Sequence, residues 1–580
     1  MSHTHAACCA RLPLAQGLRH HVTVPTGVAE PAHYGLRPVR HDRADLIVLA
    51  HISTGVPGAS PAEAMAVSGG VITAIGSAAD VAHLAGPDTT IIKPDGFISP
   101  GLIEPHAHIF SSIISMDWTD VSHQACATFD DAVATLKKAA EGLTDGQWLL
   151  GQQFDPSLYP GEPDLTREIL DQAIPHTPVF VMNASMHFGY FNSAAMKAAG
   201  VTDDTPDPPH GTLPRVNGRL TGVASESGAE LLFIGKLPQP TPADIRERIY
   251  RLLSTAASRG VTSFREAGTG AIAGVGEYAL LHQLNGAKRL PTRVSTAQWA
   301  LLNGLAPQAS AAAWKQAGVT PFSGDGMVRA DAWKVVTDGS NQGRTGYQTQ
   351  PYLGEQAGGQ TNYTPELLRA YLSAGVDAGW QLMVHANGDG AVEFTLEALE
   401  DILPGHPNAQ LRHRLEHCSF TTDDQLARMA VLGVSPSFLM NHVYYWGAAF
   451  RDTILGPTRA GRLDRVASAI SHGLRPSLHS DYNVSEIHPL FSAQTAVQRV
   501  MQANGEVLNP NECVTPEQAL KAITVDAAWQ IHADDRGTLE VGKRADWAVL
   551  SADPWSTDPS GWHDITVSET RIDGDLAYQA

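Results

Sequence analysis

The sequence predicts an α/β fold built on a (βα)8 barrel, and three observations carry that prediction. Short apolar runs bounded by glycine and polar residues recur with helical-looking stretches between them, the texture of parallel strands in repeated βα units. Five of these runs end on residues able to bind a metal. Nine runs can be counted, but one of them lies inside a stretch far longer than an ordinary crossover connection. Removing it leaves the eight strands of a barrel.

The elements follow in order. The first run, from Gly96 to Glu104, leads into Pro105-His106-Ala107-His108. Side chains of a strand alternate faces, so His106 and His108 point the same way and form a chelate for a borderline metal such as zinc. The second candidate, PVFVMNAS from Pro178 to Ser185, falls in the long gap between His108 and Val261. It is assigned to an insertion over residues 111–245, placed over the barrel mouth. VTSFREA and TRVSTAQ then make the second and third barrel strands. The fourth, Ala332 to Gly339, carries Lys334 in an otherwise apolar run. The fifth runs into His385, the sixth into His417, GVSPSF is the seventh, and the eighth runs into His479-Ser480-Asp481. C-terminal strand ends of such a barrel converge on one site. His106, His108, Lys334, His385, His417 and Asp481 therefore form one constellation.

Composition fits an ordinary enzyme of this kind. At 580 residues, with 43% hydrophobic and 17% charged residues, the chain can build a large core. A formal charge of -20 argues against nucleic acid and anionic membranes as partners, since both require a basic surface. No apolar run approaches the roughly 18 residues of a membrane span. The N-terminal residues lack the apolar core of a secretory signal. Five cysteines (Cys8, Cys9, Cys126, Cys418 and Cys513) are odd in number and unpaired in spacing, so they read as reduced thiols of a cytoplasmic protein. His3, His5, Cys8 and Cys9 could chelate a metal, but adjacent cysteines suit neither a C-x-x-C site nor an easy disulfide, and the segment reads as a tail over residues 1–42.

The stretches PGLIEPHAH, WKVVTDGS, VHANGDGA, RHRLEH and LHSDYN resemble the amidohydrolase superfamily, and within it the amidohydrolase-3 group that includes N-substituted formamide deformylase-like proteins. The resemblance runs from about Asp45 to Asp546. It implies H-x-H on the first strand, a lysine on the fourth, single histidines on the fifth and sixth and an aspartate on the eighth, all as found here. It also implies a TIM barrel spanning 98–535 beside a small β-sandwich of both chain ends, residues 43–97 and 536–580, and a homo-oligomer, expected to be a dimer. The strand-like runs near Leu46, Ala64, Val71, Trp547 and Ile565 suit that sandwich.

The chemistry follows from the residue types. Neutral imidazoles and a carboxylate suit zinc, and also iron, manganese or cobalt. A lysine ammonium has no lone pair, but a desolvated lysine loses its proton more readily and can capture carbon dioxide. A carboxylated Lys334 would bridge two metals, as in several superfamily members; as a plain amine it would pair with Asp338 or Asp481 and leave one metal. The bridged binuclear site is the expectation. Asp481 and His417 are the candidate catalytic residues: Asp481 takes a proton from a metal-activated water and returns it to the leaving group, while a metal or a neighbouring imidazole polarises the carbonyl. The expected reaction is hydrolysis of an amide, formamide, carbamate or cyclic amide of small-molecule size. The alternatives are a lyase on the same scaffold, or a binding protein that has kept the barrel.

Substrate-binding candidates are His187, Arg344, His442, Tyr445 and Trp446. His187 matches the family's G-H-x-x-x-x-N-S pattern, with Met186 in place of the glycine. Arg344 follows the fourth strand and could hold a carboxylate or carbonyl, or stand in a surface ion pair. The other three follow the seventh strand as an aromatic wall or as core. Asp389 is expected to cap the helix after the fifth strand. Where relatives carry Ile-Gly-Asp-Arg or similar, this chain has Asn387-Gly388-Asp389-Gly390, so a basic side chain is missing and no inherited substrate can be assumed.

Overall fold

The structure, a computed structural model, describes residues 43–208, 211–237 and 240–580; the cluster His3, His5, Cys8 and Cys9 lies outside them. The N-terminal strands are β1 (Leu46–Ile52), β2 (Ala62–Ser68), β3 (Val71–Gly76), β4 (Thr90–Ile92) and β5 (Phe97–Pro100), and β6 (Leu102–Ala107) follows directly. The apolar stretch before His106 is thus shared between two sheets, which part at Gly101. A Cβ at Gly101 would come 2.1 Å from Thr262 Oγ1, so only glycine lets the chain pass there. The end sheet accordingly reaches Pro100, past the residue-97 boundary read from the sequence.

The insertion carries its own sheet. β7 (Thr119–Asp120), β8 (Leu149–Phe154), β9 (Val179–Asn183), β10 (Phe188–Phe191), the hairpin β11 (Arg215–Val216) and β12 (Arg219–Leu220), and β13 (Val223–Ser225) lie between β6 and the next barrel strand. The five-stranded order is β13-β10-β9-β8-β7. Alternation along β9 covers both faces: Val179 and Val181 pack with Phe129 and Phe154, whereas Phe180 and Met182 pack with Phe191 and Phe233. PVFVMNAS is apolar on both faces for this reason, although it is not a barrel strand. The helix Pro242–Ser258, capped by the Thr241–Asp244 box, returns the chain by burying Ile245, Ile249, Leu252 and Leu253 in the main core.

The barrel is completed by β14 (Val261–Thr269), β15 (Arg293–Trp299), β16 (Val328–Val336), β17 (Gln381–Ala386), β18 (Arg414–His417), β19 (Ser435–Leu439) and β20 (Ser477–His479). Neighbours are parallel throughout, in the order β20-β19-β18-β17-β16-β15-β14-β6. Closure is completed just beyond β20, where Asp481 N–H donates to His106 O at 3.1 Å and His108 N–H to Tyr482 O at 2.8 Å. Helices between the strands cover the outer face, so the strands read as near-continuous apolar runs. The interior is layered. Arg265 donates to Asp331, Gln381 and Ser295 low in the barrel, and Ala267, Ala297, Ala332 and Met383 form a layer of mostly small side chains within it.

β21 (Trp547–Leu550), β22 (Val567–Ile572) and β23 (Asp575–Gln579) return to the N-terminal strands. The expected sandwich is one hydrogen-bonded path, β23-β22-β21-β5-β1-β2-β3, with β4 beside β1. It curls back on itself, because Ile72 N–H donates to Lys543 O and Gly542 N–H to Ile72 O. Val48, Ile52, Met65, Ile98, Trp547 and Val549 fill its interior. No helix among the described residues is long and apolar enough to cross a membrane.

Candidate metal centre

Six polar side chains from five strand ends meet above the small-residue layer. His106 ends β6 fully buried, and its Nε2 lies 3.3 Å from Asp481 Oδ1 and 3.4 Å from Lys334 Nζ. His108 Nε2 stands 3.3 Å from the same Asp481 oxygen. His385 and His417, brought together by the β17–β18 register, have ring centroids 4.5 Å apart, and His417 Nδ1 is 3.8 Å from Asp481 Oδ2. His417 and Asp481 both hold left-handed backbone, with φ of 69° and 50°. Non-glycine residues held in that region gather at functional sites, where the surrounding fold offsets their strain.

Electrostatics follow the packing. Burial, with Lys334 near, lowers the His106 pKa, and burial beside His385 lowers that of His417 well below its ordinary value. Both imidazoles are therefore neutral, as a metal ligand must be. Burial would lower His108 too, but the Asp481 carboxylate raises it above the ordinary value. Burial would raise Asp481, yet the imidazoles packed around it, His106 first, hold it well below the usual carboxylate range whenever they carry a proton.

The donor set fits a divalent cation. Asp481 Oδ1 and His417 Nδ1 are buried without a hydrogen-bond partner, although two imidazole nitrogens stand 3.3 Å from that oxygen. Buried polar atoms left in that state cost about 1–3 kcal/mol each, a cost that a shared cation removes. Donor atoms of His106, His108 and Asp481 all lie within 4.8 Å of one another.

A cavity of about 520 Å³ opens on this cluster. His108, Lys334, His385, His417 and Asp481 form its floor, and Met186, Trp299, Val336 and Val484 form much of its apolar wall. The insertion reaches it through Ser185, Met186, His187, Ser225 and Glu226. His187 Nδ1 sits 3.2 Å from Glu226 Oε2. Arg344 also lines the cavity, but its guanidinium donates to Glu355 Oε1 at 3.0 Å and to the carbonyls of Leu353 and Thr453. It stands in an ion pair.

Three expected substrate contacts are placed elsewhere. His442, Tyr445 and Trp446 are not among the cavity's lining residues, because the helix Asn441–Ala449 turns them into the core. His442 packs against Trp446 and Phe450, Tyr445 OH donates to Glu486, and Trp446 Nε1 donates to Asp155. Asp389 does not cap its helix either. Gly388 holds the N-cap position, and the Asp389 carboxylate accepts from Thr349 N–H and Oγ1.

Some residues around the centre have roles that the sequence did not reveal. Asp338 accepts the backbone N–H groups of Tyr347, Asn387 and Gly388, which fixes the loop after β17. Glu416 accepts from His106 Nδ1 at 2.6 Å and from Arg414, while Glu266 lies 4.0 Å from His108 Nδ1. Arg414-Leu415-Glu416 did hold a signal, since residues two apart on a strand share a face.

Comparison with known proteins agrees with this architecture. The model of the Amidohydrolase family matches residues 95–578. An N-substituted formamide deformylase from Arthrobacter pascens is 27% identical over 92% of this chain and 98% of that protein. The putative amidohydrolase YtcJ of Bacillus subtilis is 27% identical over 89% and 96%. An uncharacterized metal-dependent hydrolase from Pyrococcus horikoshii shares the fold, with a TM-score of 0.68 and 20% identity over 89% of this chain and 99% of that one.

Proposed function

We propose that this chain, which belongs to the amidohydrolase family, is a metal-dependent enzyme that hydrolyses the C–N bond of a small neutral amide or formamide. The observation that carries the reading is the convergence of His108, Lys334, His385, His417 and Asp481 on one cavity, with His106 directly beneath. In this reading His106, His108 and Asp481 would hold one ion, and His385 and His417 would hold a second. Zinc suits imidazole and carboxylate donors. Lys334, buried and close to His106, is read as carboxylated: its amine would add to carbon dioxide with loss of one proton, and the resulting carbamate would supply oxygen donors to the metal site.

A divalent ion held there supplies Lewis acidity, bringing the pKa of a water toward about 7 and polarising a carbonyl. The chain supplies the rest. Asp481, ionised and fixed by its backbone hydrogen bond to His106, orients the attacking water and takes its proton. It then delivers that proton to the departing nitrogen. His417 faces the cavity as a neutral imidazole and steadies the carbonyl oxygen as charge develops.

The walls favour a neutral substrate with an apolar substituent on nitrogen. Met186, Trp299, Val336 and Val484 offer apolar surface, and the Arg344 charge is offset by Glu355. The likeness to a protein named for acting on N-substituted formamides supports this choice. The test is product analysis on N-substituted formamides and simple amides, with protein stripped by chelator and then reloaded with zinc. Stoichiometric amine and acid, lost on stripping and regained on reloading, is the expected result. Turnover without amine release would overturn the reading in favour of a lyase.

A further inference from the structure

We propose that Glu416, clamped by Arg414, is a positioning residue that sets which nitrogen of His106 faces the metal. The inference rests on reading His106 as a ligand, and it concerns a pair of side chains beneath the centre. All three residues are completely buried. His106 Nδ1 lies 2.6 Å from Glu416 Oε2, and Arg414 donates Nε to Glu416 Oε1 and Nη2 to Oε2, both at 2.8 Å. The same Nη2 donates to Pro105 O at 3.2 Å, tying the clamp to β6.

The logic is one of proton placement. A bidentate arginine keeps the Glu416 carboxylate ionised, and an ionised carboxylate can only accept hydrogen bonds. A neutral imidazole has a single N–H, and at 2.6 Å from that carboxylate it must sit on Nδ1. The lone pair is then on Nε2, the nitrogen 3.3 Å from Asp481 Oδ1. Such a carboxylate also makes the imidazole a stronger donor, and losing this kind of partner typically costs about 10–100-fold in metal affinity. Among the described residues, His108 has no equivalent clamp at its Nδ1. Glu266 stands 4.0 Å away, and its oxygens accept the backbone N–H groups of Ile109 and Gly268. The two histidines of the H-x-H pair are thus supported unequally, with His106 as the fixed member.

A second buried group, His106, Glu416 and His479, has donor atoms close enough for a metal. Arg414 holds both Glu416 oxygens, so this group is read as the support beneath the centre.

The test measures zinc binding by chelator competition on full-length Glu416→Gln, with circular dichroism to establish the fold. The expected result is a native spectrum, a 10–100-fold weaker zinc Kd, and a smaller zinc-induced rise in Tm than in the wild type. Glu416→Asp keeps the charge opposite Arg414 but withdraws it from Nδ1, and a zinc Kd at least about fivefold weaker is expected. It carries the test if Glu416→Gln fails to fold. A folded variant that binds zinc within threefold of the wild type would overturn the proposal. A wild type that binds no zinc would overturn the metal reading itself, so the two failures are distinguishable.

Discussion

Asp481→Asn separates proton transfer from folding, and the backbone explains why. Asp481 has φ of 50°, a region that asparagine visits about as readily as aspartate. Alanine there would cost about 1–2 kcal/mol, so it would mix strain with chemistry. The backbone bonds from Asp481 N–H to His106 O and from Val484 N–H to Asp481 O survive the change to asparagine. One side-chain oxygen also remains for a cation. What disappears is the basic carboxylate. General-base catalysis contributes about 10²–10⁴-fold, so kcat should fall by that factor, equivalent to about 3–5 kcal/mol of barrier. The assay is amine release at saturating N-substituted formamide, with metal content and Tm measured on the same preparation. A metal-loaded, folded variant with kcat within threefold of the wild type would refute the assignment of Asp481 as base.

Three other perturbations have expected outcomes. Glu355→Ala leaves the Arg344 charge unpaired while the carbonyls of Leu353 and Thr453 still hold the guanidinium; the partly exposed pair is worth about 1 kcal/mol, so KM for an acidic substrate such as an N-formyl amino acid should fall about fivefold while that for a neutral formamide stays level. Gly388→Ala sets a Cβ 1.9 Å from Tyr347 O, a backbone atom with little room to yield. Overpacking of this kind costs about 1–3 kcal/mol, to be read as a lower denaturant midpoint, and an unchanged midpoint would contradict the packing described. His413 is buried with Nδ1 accepting from Leu382 N–H, and burial lowers its pKa from 6.5 to about 4. The unfolded chain binds this proton first as pH falls, so the stability it contributes is full above 6.5 and is lost on the way down to about 4. About 2 kcal/mol of the loss between pH 7 and pH 5 should come from this residue. His413→Gln should lose correspondingly less over that range, and an equal loss would count against the assignment.

Much of the barrel was legible because its strands are buried on both faces and several of them carry, near their ends, residues whose chemistry is out of place in a core. Lys334 inside WKVV and His385 after QLMV stand out in that way. The support beneath the centre was harder to see. Glu416 and Glu104 lie inside strands and read as ordinary charges until the fold brings Arg414, His106 and Ser480 to them. The aromatic cluster after the seventh strand misled for the opposite reason. His442, Tyr445 and Trp446 follow a strand end, as ligands do, but they ride on a helix whose packing face is set by 3.6-residue periodicity and turns them inward. Gly101 hid a sheet boundary inside one apolar run, since hydrophobicity alone does not say which of two sheets a residue joins.

In the proposed site, six strand-end residues would hold a bridged pair of metal ions. Metal content per chain of purified, full-length protein, together with the mass of the intact chain under non-acidic conditions, tests it most directly. Two ions per chain with one carbon dioxide added, both lost in Lys334→Met, is the result this account predicts. One ion or none, with Lys334 unmodified after reconstitution with zinc and bicarbonate, would contradict it.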